Sequence, residues 1–273
     1  MVGVAWSDAQ LARSLPQPEC GRLMLFDQAA REMHPTLLRM VAGELATGRP
    51  VHWIDGSCRF EPTPLMPLLH WRGVRPREAL ADLHVCRGFT AHQLAAQIIR
   101  LADEAARSSP PERMVAGRLV VVSELPRMFV DPQVHRSEGR AMLRQAMLGL
   151  RLVACRGRLL VIATCSRDLQ PALPDSMHRE ARALADEIIR STPGPVSRRR
   201  HPAGVALRLH HDRLHLTVDW VPLPWQQSSL LDFERGHVHM SMLTCRDEPA
   251  SIRASDHPNG DNTADTARTA SGA

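Results

Sequence analysis

Histidine, arginine and cysteine are the residues in this 273-residue chain whose numbers and spacing bear on chemistry. His210, His211 and His215 are followed by His237 and His239 with Met240, Met242 and Cys245. Alternation through residues 237–242 would place His237 and His239 on one face of a strand, an arrangement suited to a soft metal. No Cys/His pair stands at zinc spacing, and 14 histidines in a chain without lysine fall close together by chance. No metal and no cofactor is therefore expected. Arg198, Arg199 and Arg200, with His201, form the densest cation cluster, kept extended by flanking prolines. It suits phosphate or an acidic partner and reads equally well as a surface loop. The six cysteines contain no CxxC pair, and Cys155 and Cys165 sit in apolar, strand-like surroundings typical of reduced core thiols. There is no Gly-x-Ser-x-Gly elbow and no matched Cys/His nucleophile setting.

The composition excludes more than it suggests. All 34 cations are arginines, so a Schiff-base lysine and a lysine in a phosphate-binding loop are both ruled out. Net charge is +5, unevenly placed: residues 247–273 hold five acids against two arginines, −3, which leaves +8 on the first 246. A basic body made only with arginine suits phosphate or carboxylate partners, because guanidinium forks bind both bidentately. At 44% apolar, the chain can bury the core of one large domain or two small ones. The first ten residues, MVGVAWSDAQ, show no basic and apolar leader pattern. No apolar run approaches the roughly 18 residues of a membrane span. A cytoplasmic, reduced protein is expected, with no membrane partner.

The elements that must position these residues follow from periodicity. Residues 1–20 read as an entry segment with a short helix, broken by Pro16 and Pro18. Strands are expected at 23–26, 51–55 (ending in an acid), 83–86, 118–123 and 159–164, the most apolar of them at 118–123. Helices are expected at 36–47, 91–106, 139–154 and 178–190, with a polar loop at 27–35. Apolar strands alternating with amphipathic helices imply an α/β fold with a mainly parallel central sheet flanked by helices. Residues 205–209 and 214–218 alternate around His210-His211-Asp212-Arg213, a C-terminal β-hairpin signature. Residues 246–273 read as a disordered acidic tail.

This order of elements resembles the RecA-like recombinase superfamily, closest to the archaeal and eukaryotic type of strand-exchange recombinase. Strand, loop and helix at 23–47 sit where the phosphate-binding loop would be, and VHWIDGSCRFEP (51–62) is similar to the strand that ends in Asp. DLHVCRGFTAHQLAAQI (82–98) matches the next strand and its turn into a helix, and GRLVVVSEL (117–125) the strand of the second phosphate-site motif. RSEGRAMLRQAMLGLRLVACRGRLLVIATC (136–165) matches the helix and strand before the second DNA-binding loop. The resemblance implies a RecA-like core over residues 21–245.

The departures point to a pseudo-ATPase. The segment Ala29 to Thr36 matches the phosphate loop only at Thr36: Pro35 takes the lysine position, both glycines are gone, and Glu32 adds negative charge. Ser123 replaces the metal-binding aspartate, with Glu124 one place on. The water-activating glutamate after Asp55 is missing, and Glu61 comes too late. The nucleotide-site remnant is thus Arg31, His34, Thr36, Ser123 and Glu124, with Arg31 or His34 as stand-ins for lysine and Glu124 as a water-mediated metal holder.

By the same resemblance, Arg127, Phe129, Arg136 and Arg140 fall in the first DNA-contacting loop, and Arg167 in the second. Cations interleaved with an aromatic suit single-stranded DNA. With Arg198, Arg199 and Arg200 they make up the expected DNA-binding set. The implied protein is an inactive paralogue that binds single-stranded DNA, a recombinase or another repair protein, as a homo- or hetero-oligomer. The alternatives are a RecA-like adaptor or inhibitor of the DNA-damage response without DNA contact, and a non-standard nucleotide hydrolase.

Overall fold

The computed structural model describes residues 4–107, 118–166, 169, 171–193 and 207–221. Five short runs form strands that pair in parallel: Leu23–Asp27 (β1), Val51–Asp55 (β2), Leu83–Arg87 (β3), Leu119–Ser123 (β4) and Leu160–Thr164 (β5). Glu187–Pro193 (β6) adds in parallel beside β1, and Leu207–His211 (β7) and Leu216–Trp220 (β8) continue antiparallel. The sheet order is β3-β2-β4-β5-β1-β6-β7-β8. The architecture is α/β with a mostly parallel sheet, and its two antiparallel strands at the C-terminal end fit the expected hairpin.

The period of two sorts each central strand between two layers. Met24, Phe26, Val121 and Ile162 face a layer built from Ala9–Ser14 (α1), Ala30–Ala46 (α2) and Leu65–Trp71 (α3). Leu23, Leu25, Val120, Val122 and Val161 face Ala91–Arg107 (α5), Arg136–Gly157 (α6) and Asp175–Leu184 (α7). The short Pro76–Ala79 (α4) follows α3. A strand covered on both faces has no polar side, which is why the central strands read as unbroken apolar runs. The entry segment belongs to this core: Trp6 and Leu11 are buried, and Trp220 Nε1 donates to Asp8 Oδ2 at 3.1 Å. No helix of the described residues is long and apolar enough to cross a membrane.

Three sequence expectations change. α2 begins at Ala30, not Thr36, so the polar loop expected at 27–35 shrinks to Gln28 and Ala29. Met33 extends the buried stripe of Leu37 and Met40 backwards, and Pro35 near the start of the helix forgoes only one helical hydrogen bond. The helix expected at 178–190 stops at Leu184, because residues 187–190 pair with β1. Cys155 is exposed on α6 and is no core thiol, whereas Cys165 is buried.

Candidate functional site

The carboxyl ends of β1, β2, β4 and β5 open on one cavity of about 450 Å3. Residues just past the carboxyl ends of parallel strands line the crevice of an open α/β sheet. Of the expected nucleotide-site remnant, Arg31, His34, Ser123 and Glu124 all line this cavity, though they come from segments about ninety residues apart in sequence. Thr36 does not: it is buried within α2, and its hydroxyl has no hydrogen-bond partner.

Asp55 organises the floor. It is fully buried, and its Oδ1 accepts from the Ser57 N–H at 3.0 Å, the Ser57 hydroxyl at 2.8 Å and the Ser123 hydroxyl at 3.1 Å. Oδ2 accepts from the Phe60 N–H at 2.7 Å and faces Arg87 Nε at 3.7 Å. Burial by itself would raise this carboxyl, but the Phe60 N–H, Ser57 and Ser123 outweigh it and hold it below the usual carboxylate range. Ser123 is also committed to structure, accepting from Trp53 Nε1 at 3.2 Å while it donates to Asp55. Gly56 allows β2 and β4 to close up here: a Cβ on it would lie 2.7 Å from the Ser123 carbonyl oxygen.

Glu124 sits in the left-handed region at φ 51° and is tied down from two sides. Its N–H donates to Thr164 Oγ1 at 3.0 Å, and its carboxylate accepts from both the N–H and the hydroxyl of Ser166. His34 meets Trp53 edge-on, with ring centroids 6.0 Å apart, and burial lowers its pKa despite the opposing charge of Asp55, favouring the neutral ring. Trp53 in turn stacks on Phe60 at 4.2 Å.

Beneath the connection from β1 to α2 lies a second polar group. Asp27, fully buried, has His178 Nε2 2.6 Å from Oδ1 and Arg182 Nη1 3.5 Å from Oδ2. Arg182 also pairs with Asp212, which receives Arg190 Nε at 2.8 Å. The network clips α7 to the end of β1. A backbone cradle for a triphosphate takes a glycine-rich loop of about eight residues, and the two residues between β1 and α2 cannot supply it. Glu32 stands in the first turn of α2, and Asp27 lies buried at the end of β1 outside the cavity lining.

The expected DNA-binding residues separate. Arg127 lines the cavity beside Glu124. Phe129 is 1% exposed, packed in the core beside α5 and α6, so it cannot stack on a base; its place in the DNA-binding set is corrected to core packing. Arg140 pairs with Glu180 at 2.8 Å. Arg136 is exposed at the start of α6. Arg167, Arg198, Arg199, Arg200 and the acidic tail lie outside the described residues.

Ser57, Arg59, Thr164 and Ser166 also line the cavity and were missed from the sequence. The one signal for them is position, at or within four residues of the carboxyl ends of β2 and β5. Among the described residues no group of three or more His, Cys, Asp or Glu is placed to hold a metal ion. His210 is engaged with Thr192 and Thr217, and His211 is buried beside Glu187. No protein-family model and no curated protein matches the chain.

Proposed function

We propose that this chain is a RecA-fold paralogue that has lost ATP turnover and modulates DNA repair or recombination by binding single-stranded DNA, a recombinase, or both. The observation that carries this reading is convergence. The resemblance assigns three separated segments to nucleotide handling: the end of strand 23–27, the Asp55 end of strand 51–55, and Ser123–Glu124. Their neighbours Ala30, Ser57 and Glu124 open on one cavity. Loss of turnover is supported by the two-residue connection before α2, by Pro35 inside that helix, and by Ser123 and Glu124 being held in internal hydrogen bonds.

The burial of Phe129 and the Arg140–Glu180 pair favour a second reading, an adaptor that acts through protein contacts alone. Under the first reading, Arg127, Arg136, Arg167 and Arg198–Arg200 remain the cations proposed for DNA.

Anisotropy of labelled single-stranded DNA, titrated at about 50 and 200 mM salt with and without ATP, separates the readings, because counterion release makes DNA affinity fall steeply with salt. Salt-sensitive binding indifferent to ATP supports the DNA-bound paralogue. No binding at either salt, with capture of a recombinase, moves the function to the adaptor. No binding to DNA or recombinase sinks both, and steady ATP turnover abolished by Glu124→Ala would make the chain a hydrolase.

A further inference from the structure

Arg31, Arg59 and Arg127 reach the same cavity from three places: the first turn of α2, the segment after β2, and the 3-10 turn Arg127–Val130 after β4. Among the described residues none of these three guanidinium groups forms an ion pair with a carboxylate. Arg77, Arg156 and Arg179 also lack such a pair among these residues but stand on three separate helices, whereas Arg31, Arg59 and Arg127 share one cavity. Arg31 and Arg59 are exposed and Arg127 is half-buried, so the three like charges gather at an open concave site where an anion between them relieves their repulsion.

The two acids on the wall do not serve this purpose. The Glu124 carboxylate is taken up by the N–H and hydroxyl of Ser166, and Glu32 lies in the first turn of α2, where the positive end of the helix favours it. The helix contributes further. Its N-cap, Ala29, makes no side-chain cap hydrogen bond, and Ala30, Arg31 and Glu32 of its first turn line the cavity.

We infer that this cavity binds a small oxyanion carrying one or two negative charges, of the phosphate-monoester or dicarboxylate class, held between the guanidinium groups of Arg31, Arg59 and Arg127. Guanidinium forks take both kinds of oxyanion bidentately. The lining sets the size of the charge. Three arginines against two glutamates on the lining leave a net +1, the positive end of α2 being already matched by Glu32 and the floor carboxylate Asp55 by Arg87 at 3.7 Å. That balances a mono- or dianion and falls short of a triphosphate. The inference deepens the function proposed above and rests on its assignment of this cavity to ligand handling.

The test is isothermal titration calorimetry of the full chain with inorganic phosphate, succinate and magnesium ATP at constant ionic strength. The same titrations are run on Arg59→Gln, Arg127→Gln and, as a control remote from the cavity, Arg77→Gln. Saturable one-site binding of phosphate or succinate is expected, weakened about tenfold in either cavity variant and unchanged in the control. Phosphate alone assigns the monoester class, and succinate alone the dicarboxylate class. If a glutamine variant fails to fold, Arg59→Lys, which keeps the charge and loses the fork, replaces it, with weaker binding again expected. Absence of binding by both small anions up to about 10 mM overturns the inference, as does binding indifferent to Arg59 and Arg127. Tighter binding of ATP than of either small anion also overturns it. DNA and recombinase binding are read separately: their loss with phosphate or succinate binding intact removes the repair function alone, and the reverse removes the oxyanion site alone.

Discussion

Asp55→Asn is the sharpest perturbation of this site. The side chain keeps its volume, so no cavity opens and the effect is confined to charge and hydrogen bonding. In the native protein the carboxylate accepts four hydrogen bonds, from Ser57 twice, Ser123 and Phe60, and faces Arg87 at 3.7 Å, all while fully buried. An asparagine amide has one accepting oxygen. If that oxygen keeps the Ser57 and Ser123 donors, the NH2 group meets the Phe60 N–H; if it turns, the NH2 meets the Ser57 N–H. A hydrogen bond to a charged group is worth about 1.5–3 kcal/mol, and breaking a buried pair costs about 3–5. The variant is therefore expected to lose about 3 kcal/mol at pH 7, which for a protein of this size lowers the melting temperature by roughly 6–12 °C.

The pH dependence has a definite sign. The folded carboxyl titrates below its ordinary value, so its contribution is fully present above the unfolded pKa of about 3.9 and is lost as pH falls through the folded value. Urea unfolding followed by far-ultraviolet circular dichroism should show a constant gap between Asp55→Asn and the native chain from about pH 7 to pH 5, closing below about pH 4. A gap under about 0.5 kcal/mol at pH 7 would refute this account of the floor, and so would one that persists unchanged to about pH 3.

Three further outcomes are expected. Phe129→Ala should cost about 3–5 kcal/mol in urea unfolding and leave single-stranded DNA affinity of the folded protein unchanged, since the ring is core; reduced affinity without reduced stability would restore it to a DNA surface. Gly139→Ala should destabilise by about 1–3 kcal/mol or more despite the better helix former, because its Cβ would lie 2.1 Å from the Phe129 carbonyl oxygen; a neutral or stabilising change in melting temperature contradicts this packing. Cys165, whose thiol is pushed up to about 12 by burial and by the charges of Asp27 and Glu124, should resist iodoacetamide in the native state at about pH 8, while exposed Cys86 and Cys155 are alkylated. Peptide mass mapping reads this, and equal labelling of Cys165 and Cys86 would refute it.

Much of the frame was legible in the chain itself. Residues 23–26, 119–122 and 160–163 are unbroken apolar runs because each strand is covered on both faces, and α5 and α6 announce themselves by their period. Local patterns carry such information because backbone geometry converts sequence spacing directly into a buried face. The same reasoning located Asp55, Ser123 and Glu124 at strand ends. It could not find β6, because residues 187–190 become a strand only when β1 offers its edge, and taken alone they continue a helical stripe. Nor could it separate Arg127 from Phe129, two residues apart in one 3-10 turn, the first at a cavity and the second in the core. The Asp27–His178 contact joins residues 151 apart, and the three unpaired arginines of the cavity come from three separate segments. The sequence by itself determined most of the elements and the chemistry excluded by a chain without lysine and a 27–36 segment without glycine. Only the tertiary structure decided which polar groups neutralise one another, because pairing depends on distances across the sheet that no local period encodes.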